Sequence, residues 1–201
     1  MQVHDFEQGT EEWLQARLGI PTASCFSKLI TSAGKRSTQI DGYLNTLIAE
    51  SLMGEPSESF QSEWMARGND LEPQARAWYE FQTDSDVQQV GFVKLDSGIA
   101  GASPDGLTVT GGLELKCPKP ETHVKYLRAN KLPSDYVAQV QGCMWICERE
   151  QWDFASFHPL MPKLLITVRR DDAFIATLAG IVAEVHERKL EILESIRRLA
   201  A

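Results

Sequence analysis

Three residues carry the chemistry that organises this chain. Asp105 sits in the turn Ser103-Pro104-Asp105-Gly106, and Glu114 and Lys116 alternate with leucines in Leu113-Glu114-Leu115-Lys116-Cys117, which Pro118 closes. Strand side chains alternate between two faces, so Glu114 and Lys116 point one way and the leucines the other. The Gly111-Gly112 turn reverses the chain and brings Asp105 towards Glu114. Two carboxylates offer hard oxygens to a divalent cation. An ammonium beside them orients or deprotonates a water, or stabilises charge building on a phosphate. Phosphodiester hydrolysis needs such a set. A surface hairpin with a cross-strand salt bridge fits the same spacing, and these residues alone leave both readings open.

The elements that must position this stretch follow from periodicity and punctuation. Thr10 caps a first helix with Glu11 and Glu12 in its first turn, carrying Trp13, Leu14 and Arg17 and stopping at Gly19. Thr22 caps a second, Ala23 to Ile30, with Phe26, Leu29 and Ile30 as its apolar face. A polar loop, 31–37, holds the adjacent cations Lys35 and Arg36. Helical spacing runs from Tyr43 to Met53, and 54–59 reads as a linker loop. A helical region over 60–81 is expected to break near 68–73, at Gly68, Asn69 and Pro73, which puts Glu72 at the start of its second half. Strand signals then cover Val87–Leu95, Ile99–Ser103, 107–110 and 113–117, a mostly antiparallel meander. Helices follow at Glu121–Ala129 and from an N-cap at Ser134 to Cys147. Strands at 152–157 and 164–169 precede a long amphipathic helix, Asp171–Leu199. The order predicts an α/β fold in one domain, 1–201, with a central mixed sheet flanked by helices.

Composition narrows the class. The chain has 201 residues, 43% hydrophobic and 24% charged, as in an ordinary globular domain. No stretch approaches the roughly 18 apolar residues of a membrane span. The polar, acidic start, Met1 to Gln8, does not read as a signal peptide. Cys25, Cys117, Cys143 and Cys147 show no C-x2-C spacing and read as reduced thiols, which points to the cytoplasm. The net charge of −8 taken alone argues against nucleic acid. Its distribution does not: Lys116, Lys119, Lys125, Arg128 and Lys131 lie close together against one acid, Glu121, with a second group at Lys28, Lys35 and Arg36. A basic channel on an acidic body and a mixture of solvated faces both fit. Trp64, Trp78, Trp145 and Trp152 read as core, Cys117 as a small buried neighbour of the site, and His123 and His158 as isolated residues without a role.

Read in order, Glu72, then S-P-D-G at Ser103–Gly106, then L-E-L-K-C-P at Leu113–Pro118, then Y-V-A-Q-V-Q at Tyr136–Gln141 form an ordered set. With W-L-Q-A-R-L-G-I-P-T-A-S at Trp13–Ser24, the chain resembles the bacteriophage lambda exonuclease family, the YqaJ-type viral recombinases or alkaline exonucleases. The resemblance spans nearly the whole chain. It implies a restriction-endonuclease-like core with a PD-(D/E)xK site. Asp105, Glu114 and the Leu115 carbonyl would be metal ligands, with Glu72 completing the cluster and Lys116 as the catalytic lysine. Gln139, Gln141 and Tyr136 would position the water, the lysine or the scissile phosphate. Arg17, Ser24 and Ser103 would hold a terminal 5′ phosphate. Lys35 and Arg36 would lie near the duplex end, in a loop that does not align residue for residue.

What the resemblance implies is a Mg²⁺-dependent 5′-to-3′ exonuclease on linear double-stranded DNA. It would use two ions, with Mn²⁺ as a substitute. It would release 5′ mononucleotides and leave a 3′ overhang. A homotrimeric ring, a phage single-strand annealing protein as partner and a place in the host cytoplasm are implied with it. An endonuclease of the same fold, restriction or junction-resolving, and a non-catalytic DNA-end-binding protein are the alternatives.

Overall fold

The computed structural model describes the backbone of residues 1–56 and 63–199 and the side chains of residues 1–56 and 70–199. A short strand, β1 (Gln2–His4), opens the chain. It pairs antiparallel with β2 (Phe92–Lys94), which pairs antiparallel with β3 (Gly101–Ala102). The polar sequence of β1 did not announce it: backbone pairing makes this strand, and no hydrophobic period marks it. Thr10 caps α1 (Glu11–Arg17) as expected, its hydroxyl accepting the Trp13 N–H at 3.4 Å. Ala23–Lys28 turns as a 3₁₀ helix, and Thr22 gives it no side-chain cap. Thr22 is drawn into a parallel bridge with Gly101 instead, which leaves its hydroxyl beside Ser24.

Helix α2 (Ile40–Met53) ends at Gly54 in the left-handed conformation. Helix α3 (Glu63–Thr83) runs unbroken through Pro73, so the break expected near 68–73 is absent. A proline removes one N–H and hence one intrahelical bond, a local loss set against the burial of Ala75 and Tyr79 under the second sheet. Residues 57–59 of the expected linker and the side chain of Trp64 lie outside the described residues.

The expected meander is divided between two sheets. The chain leaves the first through Pro104, which has no N–H for a ladder. The second begins with β4 (Gly106–Leu107) and β5 (Gly112–Lys116) and continues with β6 (Gln151–Ser156) and β7 (Leu164–Arg169), in the order β4-β5-β6-β7. A bridge between Gln88, ahead of β2, and Leu107 holds the approach to the first sheet against β4. The β5–β6 pair is parallel, with Glu114 opposite Phe154 and Lys116 opposite Ser156. The β4–β5 and β6–β7 pairs are antiparallel.

Parallel neighbours need a crossover. Here it is α4 (Pro120–Ala129), a 3₁₀ turn at Ser134–Tyr136 and α5 (Val137–Ile146). Ser134 starts the 3₁₀ turn and makes no cap bond. Gly142 lets α5 lie against the Ala23–Lys28 turn, since a Cβ there would meet Phe26 Cδ2 at 2.2 Å. Helix α6 (Asp172–Leu199) is capped by Asp171, whose carboxylate accepts the Phe174 N–H at 3.0 Å. Its Leu178, Ile181, Val182 and Val185 join Leu44, Leu47 and Ile48 of α2 in the main core.

Trp152 is buried and Trp78 and Trp145 pack on the core, as read from sequence. His123 and His158 are neighbours, with ring centroids 5.9 Å apart. Buried His123 bonds Ser156 Oγ at 2.7 Å and the Pro162 carbonyl at 2.8 Å. Among the described residues no disulfide forms, and Cys117 is half-buried. Among the described residues no helix is long and apolar enough to cross a membrane.

Candidate active site

Strand β5 sorts its side chains as its alternation predicts. Leu113 and Leu115 pack on Ala75, Tyr79, Ala155 and Phe157. Glu114 and Lys116 face the other way, where α5 crosses. Glu114 is only 1% exposed. Its Oε1 is ion-paired with the Lys116 ammonium and accepts from Gln139 Nε2 at 2.7 Å. Its Oε2 is buried with no partner. Asp105 reaches β5 through Oδ2, which accepts the Leu115 N–H at 2.6 Å. The Lys116 carbonyl accepts the Phe157 N–H at 2.8 Å and so faces β6. The Leu115 carbonyl, one residue earlier, faces the opposite edge, the side of Asp105.

Glu72 approaches from α3 and is turned towards Arg76, one helical turn on, at 2.5 Å. The Arg76 guanidinium also donates to the Asp105 carbonyl at 3.4 Å. With the Gln89 amide oxygen turned to it, Gln89 accepts from both terminal nitrogens at 2.7 and 3.0 Å. Arg76 Nε is buried and unpartnered. Arg76 thus ties the helix that bears Glu72 to the loop that bears Asp105. Sequence reasoning assigned it nothing, although its i,i+4 spacing from Glu72 was a usable signal. A cleft of about 910 Å³ opens beside these residues, lined by Trp13, Glu72, Arg76, Gln89 and Asp105.

The electrostatics are those of carboxylates crowded out of water. Burial pushes the Glu114 carboxyl up to about 7, with the Lys116 ammonium opposing the rise and Asp105 adding to it. Asp105 is raised by burial against the pull of Lys116, the Leu115 N–H and Arg76. Glu72 is raised by burial and by Asp105. For Lys116 burial works against the charge, but Glu114 and Asp105 outweigh it and hold the pKa above its usual value. The lysine is a held cation, and Tyr136 presents its ring to it at 5.3 Å.

The other expected residues divide. Arg17 donates to Ser103 Oγ at 2.8 Å and lies 4.0 Å over the Trp13 ring. The Trp13 indole donates to the same Ser103 oxygen at 2.9 Å. Ser24 is exposed, with its hydroxyl 3.3 Å from that of Thr22. Gln141 is not at the site. Two residues from Gln139 is over half a helical turn, and Gln141 bonds the Arg169 carbonyl and the Asp171 N–H instead, both at 2.9 Å. Arg36 grips Glu184 of α6 through two bonds, at 2.6 and 2.8 Å. Lys35 is exposed.

Among the described residues no three His, Cys, Asp or Glu side chains converge at metal range. Glu72 faces Arg76, and Glu114 shares Oε1 with Lys116 and Gln139. The donor set still fits a hard cation: the unpartnered Glu114 Oε2, the Asp105 carboxylate and the Leu115 carbonyl on the same side.

An Asp from a turn, a Glu and a Lys two apart on a strand, and a Gln from the following helix come together on a restriction-endonuclease-like fold. The alkaline exonuclease LHK-Exo from Laribacter hongkongensis has that fold: it is 33% identical over 95% of this chain and 98% of its own, with a TM-score of 0.87. A second structure of LHK-Exo, in complex with dAMP, is 34% identical over the same shares, with a TM-score of 0.86. A phage-related exonuclease from Haemophilus somnus 129PT, 14% identical over 88% of this chain and 96% of its own, shares the fold at a TM-score of 0.68. Residues 12–150 match the YqaJ-like viral recombinase domain, and the chain belongs to that family. An uncharacterised Escherichia coli (strain K12) protein, ExoD, is 31% identical over 68 residues, 32% of this chain and 78% of its own.

Proposed function

We propose that the protein is a Mg²⁺-dependent 5′-to-3′ exonuclease on linear double-stranded DNA that releases 5′ mononucleotides and leaves a 3′ overhang. The observation that carries this reading is the paired Glu114–Lys116 face of β5, with Glu114 Oε2 buried and unpartnered and Asp105 bonded to the intervening Leu115. A binding protein has no use for buried acids that repel phosphate.

Asp105, Glu114 Oε2 and the Leu115 carbonyl would hold a first divalent cation, and Glu72 a second. Bound there, such ions would supply activation of a water and charge to offset that building on the phosphate and the leaving 3′ oxygen. Lys116, kept charged between Glu114 and Asp105, donates to the attacking water or to a phosphate oxygen. Gln139 fixes the Glu114 oxygen that the lysine shares. Tyr136 walls the lysine. Arg17 and Ser103, bonded to each other beside Trp13, present a guanidinium and a hydroxyl suited to a 5′-phosphate dianion, and Ser24 offers a second hydroxyl. An anchored 5′ end gives digestion its direction.

Assembly belongs to the same reading. Three chains in a ring, with basic residues towards a channel and the acidic surplus outside, would keep the enzyme on its DNA, and a phage single-strand annealing protein would take the overhang. A stable monomer in solution removes the channel.

The deciding experiment is digestion of linear duplexes with 5′-phosphate or 5′-hydroxyl ends, with Mg²⁺, Mn²⁺ or a chelator. The expected result is faster digestion from phosphorylated ends, recessed 5′ strands, and no activity with chelator. Cutting of covalently closed circles would identify an endonuclease instead, and end binding without hydrolysis would identify a binding protein.

A further inference from the structure

The turn that follows Arg17 is held from two sides by distant helices. Gly19 has φ +65°, and a Cβ there would stand 2.1 Å from Ser51 Oγ, so the chain passes tightly over α2. Its N–H donates to Glu50 Oε2 of α2 at 3.1 Å. Its carbonyl accepts from Lys189 Nζ of α6 at 2.6 Å. Lys189 is 8% exposed and takes a place in the apolar stripe of α6, four residues from both Val185 and Leu193. An ammonium there loses hydration that an aliphatic residue would not. Burial accordingly draws its pKa below the usual value. Two residues before Gly19, Arg17 meets Ser103; burial lowers the Arg17 pKa, and Glu50 is one of the groups that oppose the fall.

We propose that Lys189 and Glu50 are positioning residues for the recognition of DNA ends: by holding the N–H and the carbonyl of Gly19, in the two peptide groups that flank its Cα, they fix the place at which Arg17 presents its guanidinium. The inference rests on Arg17 as the 5′-phosphate ligand. It makes the terminal helix part of end selection, although neither residue touches DNA. A residue that served only to fill the core would alter stability and leave the choice of end unchanged.

The test is the ratio of kcat/KM for 5′-phosphorylated over 5′-hydroxyl duplex, measured on the full chain for wild type, Lys189→Met, Glu50→Ala and Arg17→Ala, with thermal unfolding of each. The expected result is a wild-type preference for phosphate that both positioning variants lower by about tenfold, the worth of one charge-assisted hydrogen bond, towards the Arg17→Ala value. A half-exposed Glu50 makes Glu50→Ala the variant that stays folded should Lys189→Met not. Folded variants that keep the wild-type ratio overturn the proposal. A wild-type protein indifferent to the end group overturns the Arg17 pocket itself and is seen before any variant is measured.

Discussion

Gln139 Nε2 donates to Glu114 Oε1 at 2.7 Å, so α5 reaches over β5 and holds one oxygen of a carboxylate whose other oxygen is buried and unpartnered. Gln139→Leu leaves Glu114 to Lys116 alone. The expected cost is about 1 kcal/mol of stability and a roughly 10- to 100-fold fall in activity or metal affinity, the usual effect of losing the partner that orients a ligand. Denaturant unfolding and Mg²⁺ titration of digestion separate the two. Loss of stability without loss of activity would make Gln139 a packing residue.

Lys116→Ala removes the cation that Glu114 and Asp105 hold in place. Turnover should fall on the order of 10²- to 10⁴-fold, while binding of DNA ends persists. Single-turnover digestion and a binding assay on the same duplex are the measurements. Normal digestion by this variant would sink the catalytic assignment.

Glu114 links stability to pH. Its carboxyl stands at about 7 in the folded protein against 4.5 ordinarily. Between those values the native protein holds a proton that the unfolded chain has released, so this group makes stability fall as pH rises through that window. Urea unfolding from pH 4.5 to 7.5 should show wild type losing stability relative to Glu114→Gln, and millimolar Mg²⁺ should restore it at the upper end by favouring the ionised form. Parallel curves for the two proteins would contradict the burial argument.

Arg76→Met unties Glu72 from the loop of Asp105. Glu72 is about a third exposed, so the expected loss of stability is modest, about 1–2 kcal/mol. Activity should fall further than that, because two candidate ligands lose their common anchor. Arg76→Lys, which keeps the charge without the fork, should recover stability better than activity. Equal recovery of both would reduce Arg76 to a structural ion pair.

The sequence by itself determined that Glu114 and Lys116 share a face, because a strand has a period of two wherever it sits. It also placed α1, α2, α4 and α6 within a residue or a few of their bounds, through caps and apolar spacing. Its ordered motifs, from Trp13 through Glu72 and Asp105 to Gln139, marked the family. What only the tertiary structure decided is which neighbours those residues meet. Gln139 and Gln141 lie over half a helical turn apart, and the packing of α5 decides that the first faces Glu114 while the second is consumed by Arg169 and Asp171. Arg36 belongs to Glu184, 148 residues away. Arg76, whose spacing from Glu72 is legible on the helix, also reaches the Asp105 carbonyl, which is not. Buried Lys189 occupies a position where apolar spacing asks for a hydrophobic residue. Periodicity is a local property of the backbone and survives in one dimension. The meeting of Lys189 with the Gly19 carbonyl, or of Gln141 with Arg169, depends on loops and sheets brought together by the whole chain, and no local pattern encodes it.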